Sequence, residues 1–380
     1  MNDEFYMKRA LQLARKGEGW VSPNPMVGSV IVKNDRIIGE GYHRKFGEAH
    51  AEINALNGAK ESAEGSTIYV SLEPCSHYGK TPPCVERLVA CRPKRVVIGT
   101  TDPNPLVAGR GIGILKRNGI EVTVGVLEEV CREINESFLK FIQFRIPFVT
   151  LKYAQTLDGR IATSTGHSRW ISSPPSRRFA HRLRHAHDAI LVGIGTVLSD
   201  DPELTVRLVR GTNPLRIVLD SRLRIPLTAR ILQEQDQAKT LMVATDHADR
   251  KKLSQLNDRG IETLILPVES SGRIDLNRLL RELGSRGIAS VLVEGGSRIL
   301  TALMAQNLAD RLIAIIAPKI SGRGIEAVGQ LNITSMEKAI GLVFRKIYRK
   351  GDDLIIDSRF RRPAEPSHPE TPDEPITPIR

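Results

Sequence analysis

Four side chains that stand close in the chain could do chemistry together: His50 and Glu52 in "HAE", and Cys75 and Cys84 at either end of "CSHYGKTPPC". An imidazole and two thiolates are donors that zinc favours, and three protein ligands leave the fourth tetrahedral position to water. Zinc can bring the pKa of such a water to about 7, which makes a nucleophile at neutral pH. Glu52, two residues after His50, need not face the metal when His50 does, and as a free carboxylate it could serve as general acid and base.

Zinc nucleobase deaminases carry H-x-E followed by P-C-x-x-C, with the glutamate moving protons. His50-Ala51-Glu52 and Pro74-Cys75 fit that signature, but the second cysteine follows after eight intervening residues. The spacing predicts that His50 opens one helix and that Cys75 opens another, or the turn before it, since helix N-termini stabilise thiolates. From these residues alone, structural zinc and a coincidental surface "HAE" beside a buried cysteine remain alternatives. Cys91 and Cys131, in helix-like stretches, read as core.

The surrounding pattern supplies the frame. "MVGSVIVKNDRIIGEGYH" reads as a hairpin, "HAEINAL" as a helix start, "STIYVSL" and "RVVIGT" as strands and "CVERLVACR" as a helix, an α/β layered arrangement. A second series begins at "PFVTLKYAQTLDGRIA" and continues through "DAILVGIGT", "LRIVLDS", "TLMVAT", "TLILPV" and "SVLVEGG" to a closing hairpin, "LVFRKIYRKGDDLIIDSRF". Two domains are expected, 1–146 and 147–361, joined within 132–147. A tail over 362–380 has proline at every third position and should be extended or disordered.

A chain of 380 residues with 41% hydrophobic and 26% charged residues is that of a folded, soluble protein. The charged start lacks a secretory pattern, no apolar run would cross a membrane, and four thinly spread cysteines argue against a disulfide framework. A cytoplasmic enzyme is expected. The net charge of +12 favours anionic partners, either nucleic acid or phosphorylated metabolites.

"NPMVGSVIV", "GYHRKFGEAHAEINAL" and "EPCSHYGKTPPC" closely resemble the deaminase half of the bacterial RibD family of bifunctional riboflavin biosynthesis enzymes. "LKYAQTLDGRIA", "SRWIS", "HRLRHAHDAILVGIGTVLSDDPELTVR", "VLDS" and "VEGGSRIL" resemble its reductase half, in the same order, up to about residue 361. The resemblance implies a cytidine deaminase-like three-layer α/β/α domain followed by a dihydrofolate reductase-like α/β domain. It also implies two consecutive reactions on a phosphorylated pyrimidine: zinc-dependent hydrolytic deamination, then reduction of the ribosyl chain to ribityl by NADPH. Neither nucleic acid nor membrane is implied as a partner, and relatives commonly form homodimers or larger assemblies.

Carried over by position, His50, Cys75 and Cys84 should bind Zn2+ and Glu52 should shuttle the proton. Asn24, His43, His77 and Lys80 match substrate positions, with Lys80 suited to a phosphate. In the second half Lys152 should assist hydride acceptance. Ser168, Arg184, Leu204, Arg207 and Glu294 match substrate positions, with Arg184 otherwise a solubilising charge. Ala154, Trp170, Thr196, Asp200 and Ser221 match cofactor positions, with Asp201 beside Asp200 and Trp170 otherwise core. Gly295 and Gly296 end a strand before a helix whose amides could receive phosphate oxygens.

The chain departs from the family pattern at Ser29, at Lys80 and at Gln155-Thr156, the last raising a question of fit around the cofactor. Two rival readings are a deaminase of tRNA or free bases, against which the C-x-x-C spacing is missing, and a second domain that binds a nucleotide only to regulate the first.

Overall fold

Alternating apolar residues build the first sheet and give it two covered faces. The computed structural model describes residues 2–78, 82–104, 108–268 and 272–361, so Lys80 and the proline-rich 362–380 tail lie outside the described residues. Helix α1 (Asp3–Ala14) leads to strands β1 (Gly28–Lys33) and β2 (Arg36–Tyr42), followed by α2 (Ala51–Asn57), β3 (Thr67–Leu72), α3 (Cys84–Ala90) and β4 (Arg95–Thr100). Then come α4 (Arg110–Arg117), β5 (Glu121–Val124), α5 (Glu128–Ile134) and α6 (Glu136–Phe144). The strand order is β2-β1-β3-β4-β5.

Val30, Val32, Tyr69 and Val97 pack with Met7, Leu11 and Cys131 on one face. Ile31, Ile68, Val70 and Ile98 pack with Ala55, Val85, Leu88 and Leu115 on the other. The domain is therefore the expected three-layer α/β/α sandwich. Its β1–β2 hairpin turns at Asn34 and Asp35, both with positive φ, the conformation that two-residue hairpin turns require.

The second domain repeats the logic on a larger sheet. It contains β6 (Phe148–Thr156), β7 (Arg160–Thr163), α7 (Pro174–Ala186), β8 (Ala189–Gly193), α8 (Ile194–Asp200), β9 (Leu215–Leu219), β10 (Thr240–Thr245) and α9 (Arg250–Asn257). After these follow β11 (Glu262–Leu266), α10 (Leu276–Ser285), β12 (Ser290–Val293), α11 (Ser297–Ala305), β13 (Arg311–Ala317), β14 (Gly324–Glu326), β15 (Leu342–Lys350) and β16 (Asp353–Phe360). The main sheet runs β11-β10-β9-β8-β12-β6-β13-β16-β15.

From β11 to β13 all neighbours are parallel, and the β15–β16 hairpin closes one edge antiparallel. Parallel strands buried on both faces place the binding crevice outside their carboxyl ends. Among the described residues no helix is long and apolar enough to cross a membrane.

The expected join over 132–147 is helix rather than loose linker, because Phe138, Leu139 and Phe141 give α6 an apolar side to bury. Polar contacts fix it to the second domain. Lys140 Nζ donates to Asp310 Oδ2 at 2.6 Å, and the same oxygen accepts the N–H of Val149 at 2.8 Å. Arg345 pairs with Glu133 and Glu136, and Arg359 pairs with Glu136. At another point of the interface Thr212 Oγ1 donates to the Gly19 carbonyl at 3.2 Å.

Candidate active sites

His50 is the residue before the first turn of α2, and Cys84 is the first residue of α3. Pro83 precedes Cys84, and proline stops a helix from extending further toward its N-terminus. The helix-opening cysteine is thus Cys84, while Cys75 stands in the loop after β3 with its Sγ accepting the Cys84 N–H at 3.3 Å.

His50 Nδ1 lies 3.5 Å from Cys75 Sγ and 3.3 Å from Cys84 Sγ. Tetrahedral zinc, with bonds of roughly 2.05 Å to nitrogen and 2.3 Å to sulfur, would hold those atoms about 3.6 Å apart. The donors fit the ion. Among the described residues no fourth His, Cys, Asp or Glu joins the cluster, the ligand count of a catalytic rather than a closed structural site.

The hydrogen bond from Cys84, aided by His50, brings the Cys75 thiol down to about 4 against the effect of burial. The same bond and burial push Cys84 up. Glu52, on the first turn of α2, is 3% exposed and stands outside the donor set. Burial, then the charge of Cys75, raises its carboxyl to about 7.

Asn24 and His43 come together beside this triad. His43 Nδ1 donates to the Ala49 carbonyl at 3.2 Å, which leaves Nε2 to accept from the Asn24 amide at 3.2 Å. The His43 and His50 rings meet edge to face at 5.2 Å, and burial lowers the pKa of His43. Nδ1 of His77 is buried without a hydrogen-bond partner among the described residues.

Sequence reasoning missed Glu73, whose carboxylate accepts the N–H groups of Asp102, Gly109 and Ile112 and so ties the metal loop to the start of α4. It also missed Asp102, which burial raises to about 6 although it accepts the Asn104 N–H. The amides that Glu73 holds are distant in sequence, so no local signal marked it.

A cleft of about 1280 Å³ opens at the carboxyl ends of the second sheet and collects the predicted reductase residues. At its floor Arg184 donates to Glu294 through Nε at 3.0 Å and Nη2 at 2.9 Å, and Lys152 Nζ lies 3.8 Å from the same carboxylate. Burial alone would raise Glu294, but Arg184 and then Lys152 hold it at about 2. Arg184 is therefore part of a half-buried ion cluster rather than a solubilising surface charge.

Ser168 Oγ donates to Asp200 Oδ1 at 3.3 Å on the cleft wall, whereas Asp201 is engaged elsewhere, accepting the Arg230 N–H at 2.9 Å. Trp170 is 60% exposed on the rim and so is not core. Leu204 and Arg207 line the wall, as do Ala154, Thr196 and Ser221; Gln155 and Thr156 are not among the lining residues.

The Gly295–Gly296 turn completes the cleft. Both residues have positive φ, 113° and 73°, and a Cβ on either would stand 3.5 Å from Thr196 Oγ1. Side chains there would occupy the space between the turn and α8, into which the amides at the start of α11 open, so the cradle fits a dinucleotide's phosphates. His181 was overlooked although it lies three residues from Arg184 on α7. Its Nδ1 accepts the Arg207 N–H at 2.9 Å, and burial, then Arg184, lowers it to about 4.

Residues 1–100 match the model of the cytidine and deoxycytidylate deaminase zinc-binding region, and residues 147–356 match that of the RibD C-terminal domain. The chain is 45% identical to riboflavin biosynthesis protein RibD of Aquifex aeolicus, over 93% of this chain and 97% of that one. It is 41% identical to RibD of Escherichia coli, over 94% and 99%. Among solved structures, Acinetobacter baumannii RibD superposes with a TM-score of 0.85 at 36% identity, covering 95% of this chain and 99% of its own. A Thermotoga maritima protein described as a diaminohydroxyphosphoribosylaminopyrimidine deaminase/5-amino-6-(5-phosphoribosylamino)uracil reductase superposes with a TM-score of 0.83 at 37% identity, covering 94% and 99%.

Proposed function

The chain belongs to the RibD family of riboflavin biosynthesis proteins, and from that membership we propose that its domains carry out consecutive steps on one phosphorylated pyrimidine. It is a bifunctional deaminase and reductase. The deaminase domain, 1–146, removes an amino group hydrolytically from 2,5-diamino-6-(5-phospho-ribosylamino)pyrimidin-4(3H)-one. The reductase domain, 147–361, reduces the ribosyl chain of the product to ribityl, giving 5-amino-6-(5-phospho-ribitylamino)uracil. The observation that carries the reading is the pairing, in one chain, of the His50–Cys75–Cys84 donor set beside Glu52 with the Lys152–Glu294–Arg184 cluster facing the double-glycine cradle.

In the first site His50, Cys75 and Cys84 hold zinc, which supplies Lewis acidity and an acidified water when bound. Glu52 moves the proton: its carboxylate takes one from the attacking water and delivers it to the departing amino group, so that ammonia leaves and a carbonyl remains. Asn24 and the neutral His43 orient the pyrimidine edge. His77 and Lys80 serve the ribosyl phosphate.

In the second site NADPH supplies the hydride. Lys152 Nζ, 3.8 Å from Glu294, gives the proton that the sugar oxygen or imine nitrogen needs as its carbon is reduced. Ser168, Arg184, Leu204 and Arg207 hold the substrate, with guanidinium groups suited to its phosphate. Ala154, Trp170, Thr196, Asp200, Ser221 and the Gly295–Gly296 turn hold the cofactor. Self-association belongs to the same reading, supported by the edge strand β15, whose Phe344 and Ile347 are exposed.

The test is a coupled assay on purified protein given the diaminopyrimidinone ribosyl phosphate, with ammonia and NADPH followed separately and zinc measured. Equal amounts of ammonia released and NADPH oxidised, with about one zinc per chain, support both halves. Ammonia without NADPH oxidation reduces the second domain to a binding module. Neither signal from zinc-loaded protein overturns the proposal and directs attention to RNA substrates.

A further inference from the structure

We infer that His185, which belongs to the reductase half, is a positioning residue for deamination: it holds the loop of residues 19–26 so that Asn24 faces His43. The inference rests on the deaminase reading above, in which Asn24 orients the pyrimidine. Asn24 stands on a segment with little regular structure of its own, since residues 18–27 belong to no helix or strand. Within the loop its N–H donates to the Val21 carbonyl at 2.9 Å, and its side-chain amide meets His43 Nε2 at 3.2 Å. Most of what shapes the loop comes from outside it.

The His185 imidazole, in the last turn of α7, lies between a glycine of each domain. Gly19 has a φ of 72°, and a Cβ there would fall on the His185 ring and carbonyl; a Cβ on Gly211 would stand 2.6 Å from His185 Cγ. The Trp20 ring meets the same imidazole edge to face at 5.2 Å. Thr212 closes the arrangement, donating its N–H to His185 Nδ1 at 3.0 Å and its hydroxyl to the Gly19 carbonyl at 3.2 Å. One ring, fixed by its own domain, thus presses on two consecutive residues of the other.

Two further anchors continue the grip. Asp188 accepts the N–H groups of Ala289 and Ser290 at 2.8 and 2.9 Å, and it also takes the Ser22 hydroxyl. Asn135, buried where α5 meets α6, accepts the Met26 N–H through Oδ1 at 2.7 Å and donates from Nδ2 to the Met26 carbonyl at 2.9 Å. On the deaminase side the Trp20 carbonyl accepts the Phe46 N–H at 3.1 Å. The loop is therefore held at Gly19, Trp20, Ser22 and Met26, on both sides of Asn24, and His185, Thr212 and Asp188 are all contributed by the second domain. Removing the His185 ring lets the Gly19 end settle into the vacated space and carries Asn24 out of line with His43. Small misplacement of a group that orients substrate is costly even when the change is remote from the reacting atoms.

The experiment is steady-state deamination by the full chain, with zinc content and reduction of supplied deaminated product measured on the same preparations. The proteins are the unaltered chain, His185→Ala, Thr212→Val, Asn24→Ala and the double variant His185→Ala/Asn24→Ala. His185→Ala is expected to raise the deaminase KM about 5- to 20-fold and Thr212→Val about 3-fold, with zinc retained and reduction within about twofold. Because His185 acts through Asn24, the double variant should match Asn24→Ala alone within about twofold. Should His185→Ala fail to fold, Thr212→Val and its own double variant with Asn24→Ala carry the same test. An unchanged KM in the second-domain variants, additive effects in the double variant, an unchanged KM in Asn24→Ala, or parallel loss of both activities overturns the proposal. If the unaltered protein releases no ammonia yet oxidises NADPH with supplied product, the deaminase reading itself is overturned.

Discussion

The guanidinium of Arg184 and the carboxylate of Glu294 form a two-point pair, at 3.0 and 2.9 Å, across 110 residues of chain, with Lys152 on the other side of the same carboxylate. One anion thus balances two cations at the cleft floor. Replacing it by Glu294→Gln leaves Arg184 and Lys152 without their shared counter-charge and removes one end of the two-point hold on Arg184. Reduction should fall about 100-fold, while ammonia release stays within twofold. Steady-state rates for the two half-reactions on the same preparation check this.

Glu52→Gln should retain about one zinc per chain, because Glu52 is outside the donor set, yet lose deamination by roughly 10²- to 10⁴-fold. Reduction of supplied deaminated product should be spared. Zinc analysis beside both assays decides the matter, and loss of both activities would contradict independent sites.

Chelation of zinc should abolish ammonia release and leave the reduction of supplied product intact, with activity returning on addition of zinc. Cys84→Ala should behave like the chelated protein but without rescue, since one of three donors is gone. Metal content against free zinc concentration gives the comparison.

His187 is neutral in the folded protein: burial, then Arg311, lowers it to about 4, and its ring bonds the Leu183 carbonyl and Thr150 Oγ1. The unfolded chain takes up that proton near pH 6.5, so the unfolded state binds more protons between those values. Stability is fully present above pH 6.5 and is lost as the pH falls toward 4. The cost is about 2 kcal/mol by pH 5 for this residue. Denaturant titrations at pH 7 and pH 5 should show the drop, and His187→Gln should reduce it, with His181 supplying a further part in the same window.

Ser29 is fully buried and its hydroxyl has no hydrogen-bond partner among the described residues. A desolvated hydroxyl without a partner costs about 1–3 kcal/mol. Ser29→Ala, or Ser29→Cys, should therefore raise the denaturation midpoint without changing either activity. An unchanged or lowered midpoint would show that the hydroxyl is satisfied.

His50, Glu52 and Cys75 were legible because the chemistry of the first site is written in short spacings next to a strand end. Cys84 was legible too, once the expanded loop was accepted, although which cysteine opens α3 depended on Pro83. The reductase strands were legible from their apolar runs, and the double glycine from its place between a strand and a helix. What could not be read was pairing at a distance. Glu294, expected as a substrate contact, is also the counter-ion of Arg184 and Lys152; Glu73 anchors three amides and His181 accepts the Arg207 N–H, roles that no short spacing marks. Such roles arise only when the sheet brings its carboxyl edges together. Composition likewise described α6 as a join, because nothing local announces that Lys140 will meet Asp310.

That last contact gives the molecule its mechanics. Asp310 grips the connector helix and the first strand of the second sheet with a single oxygen, so the two halves meet as a wall and its buttress rather than as beads on a thread. Residues inserted after Arg145 would not add slack; they would act as a crack, prising Lys140 from its anchor and setting two working machines adrift from one another.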